Sequence, residues 1–464
     1  MIAPHAFIHR LTVLGAVIVI SATGCSVITL SSVNKRIEPG GSIQRTRATE
    51  IIDPEAIARS NGVFIGVAMS GGGSRAANFS AAVLFELQRL GLLPYVAAIS
   101  SVSGGSLAAA YYSLFGTGPE GSWQQEKVKR RFAKNLEWPW FFRWFLPQNF
   151  IRGWFTNFNR NNIMMQVFDR TFFEGRTFAA IPAESPVLLI NATSFTTGQR
   201  FVFSDETLSQ GLGSQLADVP VSFAVMASGS FPGVFHNVTL QNYSFAREDH
   251  YEHLYDGGPV DNLGVLTLGA LARAIYQRDP TKAKGCFLVV ADAYPYQELP
   301  QHVLEADTRT LVDRIFNTNA MTASEVLLTT RREDILKLAM IDVRPGVKMF
   351  PLGDMAVARS YACKVWLVTF QRLLSSDFGG ASTLPAYQAR AVAQVVNAIP
   401  TRYGLTGSKG YSAESLQDYL FEAARLLMRE DRPVLEEVCK WFSGDHALPA
   451  FSCPVSLATI GDYQ

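Results

Sequence analysis

The apolar residues of this chain fall into short unbroken runs set between small-residue turns and longer stretches of helical spacing. Residues 63–69 form a seven-residue run without a charge, and 95–100, 186–193 and 285–291 repeat the type. Runs of strand length that do not alternate read as strands buried on both faces, the habit of a parallel sheet. Residues 76–90, 107–114, 222–230 and 263–277 carry the spacing of helices. Residues 198–203 read as a partner strand reached through a short turn, and the segment ending at Leu254 as irregular. Repeated strand–turn–helix units predict an α/β fold with a mostly parallel central sheet. Residues 304–317, 356–375, 386–399, 413–429 and 433–441 all read as helices. No linker separates them from the first half, so the expectation is a helical region packed on the same domain.

Composition adds a large core. Of 464 residues, 48% are apolar and 17% charged, which excludes disorder. Net charge is +1, without the basic excess of a nucleic-acid binder. Arg10 precedes an apolar run at 11–20, of signal-peptide length and too short to span a bilayer. Ala22-Thr23-Gly24-Cys25 follows and resembles the bacterial lipoprotein box. That resemblance implies cleavage after residue 24 and lipidation of Cys25. Ser26, rather than Asp, resembles the sorting pattern for the outer membrane. The alternative is an ordinary secretory signal with an incidental cysteine. Residues 25–60 read as a tether.

Export permits disulfides. Cys439 and Cys453 bracket a short loop and are the expected pair, whereas Cys286 and Cys363 read as buried thiols. No cysteine spacing resembles a metal site, and neither metal nor cofactor is expected. Residues 117–160 form an aromatic-rich insertion: Trp138, Phe141, Phe142, Phe145, Trp154 and Phe155 stand among Lys134, Arg143 and Arg152. Two readings stay open, a lid facing a membrane surface or a buried helical insertion.

Two small-residue turns carry the candidate chemistry. Ser101-Val102-Ser103-Gly104-Gly105 has the outline of the G-x-S-x-G elbow, in which a sharp strand-to-helix turn pushes a serine hydroxyl outward. Ser100, Ser101 and Ser106 compete with Ser103. Gly71, Gly72 and Gly73, with Gly104, offer backbone amides where the negative charge of acyl transfer would develop; each such donor is worth about 3–4 kcal/mol. No Lys-Ser/Thr pair follows the glycines, so a phosphate-binding loop is excluded.

Together with Asp256-Gly257-Gly258, these blocks resemble the patatin-like phospholipases. The glycine turn Ser70-Gly71-Gly72-Gly73-Ser74-Arg75, the Ser103 elbow, Ala227-Ser228 with Pro232, and the Asp-Gly-Gly turn stand in that family's order across residues 62–292. Ser70, Ala76 and Ser101 depart from its pattern, each keeping a small residue. The resemblance implies a three-layer arrangement around the central sheet and a Ser103–Asp256 dyad without histidine, with Asp261 structural. A triad through His302 or His446 is the competitor. Arg75 is expected to steady the glycine turn or to meet lipid phosphate. The hydrolase domain is expected at 61–300 and the helical region at 301–464. The implied activity is hydrolysis of fatty-acyl esters of phospholipids or lysophospholipids at a membrane surface. The alternatives are a carboxylesterase or thioesterase on soluble esters, and a non-catalytic envelope lipoprotein that binds lipid or a partner.

Overall fold

A computed structural model describes residues 33–117, 123–245, 250–296, 318–343, 348–380, 383–405 and 410–455. The expected helix at 304–317, the signal segment, Cys25 and His302 lie outside the described residues.

The strands of the main sheet are β1 (Val63–Met69), β2 (Ala98–Val102), β3 (Val187–Ser194), β4 (Arg200–Phe203), β5 (Val238–Gln241), β6 (Tyr251–Asp256), β7 (Gly285–Asp292), β8 (Leu352–Ala358) and β9 (Tyr361–Thr369). Their order across the sheet is β8-β9-β7-β1-β2-β3-β6-β5, with β4 also paired to β3. The centre, β9-β7-β1-β2-β3, is parallel, and the outer pairs are antiparallel.

The helices that build or cover the site are α1 (Gly73–Arg89), α2 (Gly104–Phe115), α3 (Gln125–Phe132), α4 (Glu137–Trp144), α5 (Pro147–Phe155), α6 (Arg160–Phe168), α7 (Val221–Ser228), α8 (Val265–Arg278), α9 (Thr318–Leu338), α10 (Thr383–Asn397), α11 (Ala413–Arg429) and α12 (Arg432–Trp441).

The sheet is buried on both faces, which is why its central strands read as unbroken apolar runs. Along β1, Val63, Ile65, Val67 and Met69 face a core shared with Phe79 and Leu84 of α1 and Leu107 of α2. Phe64 and Ala68 face the opposite core, shared with Leu268 and Leu271 of α8. Helices on both faces of one sheet make the expected three-layer α/β architecture.

Three expectations are corrected. Residues 356–375, read as a helix, form most of the β8–β9 hairpin instead. Val365 and Leu367 point into one core and Trp366 and Val368 into the other, so burial on both sides erased the alternation that marks a strand. The hairpin turn, Arg359-Ser360, also lacks a glycine or asparagine signal. The segment before Leu254 is a second hairpin, β5–β6, at the sheet edge. Cys286 and Cys363 are disulfide-bonded to each other, because parallel pairing of β7 with β9 sets them side by side. Cys439 and Cys453 form the expected bridge.

The aromatic insertion divides. Phe132, Leu136 and Phe158 are buried, while Trp138, Phe142, Phe145 and Phe150 are each more than half exposed. No described helix is long and apolar enough to cross a membrane.

Candidate active site

Ser103 stands between the end of β2 and the first residue of α2, with φ 49° and ψ −120°. A non-glycine residue in that region is strained and persists only where its surroundings enforce it. Here the enforcement is close crossing of two backbones. A Cβ on Gly104 would lie 2.0 Å from the Gly73 carbonyl oxygen, and one on Gly105 2.6 Å from that of Ser70. From the other side the Ser103 amide donates to Ser228 Oγ at 2.8 Å, and that hydroxyl donates to the Asn191 carbonyl at 2.6 Å. Asn191 in turn donates to the Ser101 carbonyl at 3.0 Å and to Ser100 Oγ at 2.9 Å. Of the competing serines, Ser100, Ser101 and Ser106 are fully buried, whereas Ser103 keeps 8% exposure.

Asp256 closes β6 and faces that serine. Its Oδ1 accepts the Gly258 amide at 2.8 Å, and its carboxylate interacts with the Ser103 side chain. A Cβ on Gly257 would lie 2.5 Å from the Asn191 carbonyl, so the turn after Asp256 fits only without a side chain. Burial pushes the Asp256 carboxyl up to about 6, against the opposing pull of the Gly258 amide and the Ser103 hydroxyl. A base titrating there is far better matched to neutral pH than an ordinary carboxylate.

Asp261 does different work. Its carboxylate accepts the amides of Gly264 at 2.9 Å and Leu266 at 2.7 Å, which holds the entry to α8. Two of the described histidines are engaged elsewhere. His446 stacks on Trp441, and His253 pairs with Thr239 Oγ1.

The glycine turn enters α1. Gly72 is the N-cap residue, at φ 135°, and Gly73 the first helical residue, at φ 58°. Amides at the start of a helix have no partner within it and favour negative charge. Gly73 and Gly104, each opening a helix, are placed to donate, with Gly72 beside them. Gly71 is not: its amide donates to the Asn262 carbonyl at 3.0 Å, tying the glycine turn to the turn after Asp256. Arg75 is buried rather than exposed. Its guanidinium donates to the carbonyls of Ala293, at 2.9 Å, and Ile399, and to Thr401 Oγ1 at 2.9 Å. It therefore steadies the turn from within.

Sequence reasoning missed one residue at the site. Tyr403, on the connection after α10, donates its hydroxyl to the Gly229 carbonyl at 3.3 Å and interacts with the Ser103 side chain. Burial and the nearby Asp256 charge push its phenol well above the usual tyrosine range, so it stays protonated. No local motif marks it. The nearest signal is Gly229 itself, where a Cβ would stand 2.1 Å from the tyrosine oxygen.

Comparisons with known proteins agree in part. Among solved structures the chain is similar to human GIVD cytosolic phospholipase A2 at 12% identity and TM-score 0.42, over 83% of this chain and 62% of that one. A complex of that enzyme with methyl gamma-linolenyl fluorophosphonate gives 13% identity and TM-score 0.40, over 85% and 62%. VipD from Legionella pneumophila gives 11% identity and TM-score 0.29, over 80% and 67%. The chain thus spans less than two thirds of the length of the human enzyme. No curated protein sequence matches it. The model of the Patatin family, patatin-like phospholipase, matches residues 67–268, the stretch that carries both turns. Residues 67–268, which hold Ser103 and Asp256, thus form a patatin-like phospholipase domain.

Proposed function

We propose that the protein hydrolyses fatty-acyl esters of phospholipids or lysophospholipids through Ser103 and Asp256. The supporting observation is the strained Ser103 turn facing a buried carboxylate whose pKa lies near 6. Ser103 Oγ attacks the ester carbonyl carbon, and Asp256 takes the hydroxyl proton. The tetrahedral oxyanion lies against the amides of Gly72, Gly73 and Gly104 at the starts of α1 and α2. Collapse breaks the bond to the glycerol oxygen, which leaves with the proton from Asp256. Water then attacks the acyl-serine, Asp256 again takes the proton, and the fatty acid departs as Ser103 Oγ is reprotonated. The whole cycle needs one base, which alternates between its two protonation states. The amino-terminal reading supplies the setting, an envelope protein held at the outer membrane by a lipid on Cys25.

The test is hydrolysis of phospholipid vesicles and of a short-chain soluble ester by wild type, Ser103→Ala and Asp256→Asn, with fluorophosphonate labelling of Ser103. Loss of both activities in both variants is expected. Full activity in either variant overturns the dyad. Activity on the soluble ester alone favours a carboxylesterase, and absence of labelling favours a binding role.

A further inference from the structure

Ser103 and Asp256 are 8% and 4% exposed, so an ester reaches them only if something moves. What stands over them is the connection at residues 401–404. The Arg402 carbonyl oxygen accepts the Ser74 amide at 2.6 Å, in the first turn of α1. It also lies so close to Gly73 that a Cβ there would be 2.3 Å away. A carbonyl oxygen thus sits on an amide in the first turn of α1, beside the Gly72 and Gly73 amides that would meet the substrate's oxyanion. One residue on, the Tyr403 hydroxyl touches the nucleophile. A peptide carbonyl on the first turn of α1 and a hydroxyl on the serine together imitate a bound ester.

The same segment is clamped to α4. The Leu136 amide donates to the Tyr403 carbonyl at 2.9 Å, and the Tyr403 amide donates to Glu137 Oε1 at 3.1 Å. Glu137 opens α4, and α4 together with α5 carries the exposed rings of Trp138, Phe141, Phe142, Phe145, Phe150 and Phe155. Large apolar rings exposed side by side are unusual on a soluble surface and mark an interaction site. The occupant that fits is a lipid bilayer. Aromatic rings seat at its interface. Across residues 133–158 three basic residues, Lys134, Arg143 and Arg152, stand against one acidic residue, Glu137, whose carboxylate is turned to Tyr403. That balance favours anionic headgroups.

We infer that residues 401–404 are an internal substrate mimic that closes the site, and that the aromatic face of α4 and α5 withdraws it by docking on an anionic lipid bilayer. The inference rests on the serine-hydrolase reading. A move of α4 transmits directly to Tyr403 through these two hydrogen bonds, one to the backbone of Leu136 and one to the Glu137 carboxylate, and departure of Tyr403 frees the Ser103 hydroxyl and the start of α1 together.

The experiment measures the rate of fluorophosphonate labelling of Ser103 in the full-length chain, with and without vesicles. Where the open form is a tenth of the resting population, removing the plug accelerates labelling about tenfold. Tyr403→Ala is expected to reach that rate without vesicles. Gly229→Ala, which puts a methyl where the tyrosine oxygen sits, is expected to do the same with the sequence of residues 401–404 and α4 unchanged. Phosphatidylglycerol–phosphatidylcholine vesicles are expected to accelerate the wild type, and Phe142→Glu with Phe145→Glu to reduce the ratio of vesicle to vesicle-free rate. Equal rates in wild type and both plug variants overturn the mimic and leave the hydrolase standing. Absence of labelling in every variant overturns the hydrolase reading itself. Equal acceleration by phosphatidylcholine alone overturns the anionic surface. Acceleration by protein concentration and not by vesicles makes the face a contact between copies and overturns the docking.

Discussion

Replacing Asp256 by asparagine should abolish activity and stabilise the fold, and the second effect should depend on pH. Burial lifts this carboxyl from 3.8 to about 6. A rise of about two pH units corresponds to about 3 kcal/mol between its charged and neutral forms. The sign follows from proton counting. Between about pH 4 and pH 6 the folded chain holds a proton that the unfolded chain releases, so stability falls as pH rises and the loss is complete by about pH 7. Asparagine mimics the neutral acid and escapes the loss. Urea unfolding should therefore show Asp256→Asn more stable than wild type by up to about 3 kcal/mol at pH 7 and about equal at pH 4. In wild type, kcat/KM on a soluble ester should fall about tenfold per pH unit below about 6, as the base is protonated, and stay level above it. A stability gap of the same size at pH 4 and pH 7, or an acid limb near pH 4, would refute the reasoning.

Other substitutions probe the frame. Gly104→Ala, whose Cβ would lie 2.0 Å from the Gly73 carbonyl oxygen, should eliminate activity, because the two turns can no longer cross; the check is ester hydrolysis beside a thermal melt. Ser228→Ala leaves the Ser103 amide without its acceptor, so stability should fall by about 1–3 kcal/mol and kcat should drop with KM little changed. Loss of the Cys286–Cys363 bridge, which closes 77 residues, should cost about 4 kcal/mol by loop entropy, measured by unfolding Cys286→Ala/Cys363→Ala. Asp431→Asn should cost about 3–5 kcal/mol. Both oxygens of Asp431 accept from the buried guanidinium of Arg372, at 2.7 and 2.8 Å, where α12 begins. Denaturant unfolding gives the value.

The geometry around Ser103 and Asp256 was legible because its constraints are local. Gly104 and Gly105 lie beside Ser103, and Gly257 beside Asp256, since each turn must pass another backbone within a Cβ's reach. The strands at 63–69, 187–194 and 285–292 were legible for a related reason: burial on both faces leaves no charged position inside the run. The same burial misled at β9. Its residues 361–369 are as apolar as a buried helix, and an Arg-Ser turn gives no warning of a hairpin. The Cys286–Cys363 pair followed that error, because two cysteines can be matched across a sheet only once both are known to lie on neighbouring strands.

What the sequence hid is the part of the site that depends on distant contact. A serine–carboxylate dyad works only if the carboxylate is kept dry enough to titrate near neutral pH. The turn that carries Asp256 does not achieve this alone. Leu328 of α9 lies against Gly258, where a Cβ would meet its Cδ2 at 2.7 Å, and Tyr403 lies at Ser103. Both stand beyond the 67–268 stretch that matches the family. Arg75 joins the two regions, since its guanidinium leaves the glycine turn to reach Ile399 and Thr401. The motif residues set the proposed nucleophile, base and amide donors. The second half of the chain sets the dielectric around them, and through it the pH at which the base works. Residues that touch the site only through burial carry no fixed spacing and no obligatory residue type, so a motif reading passes over them even where the chemistry depends on them.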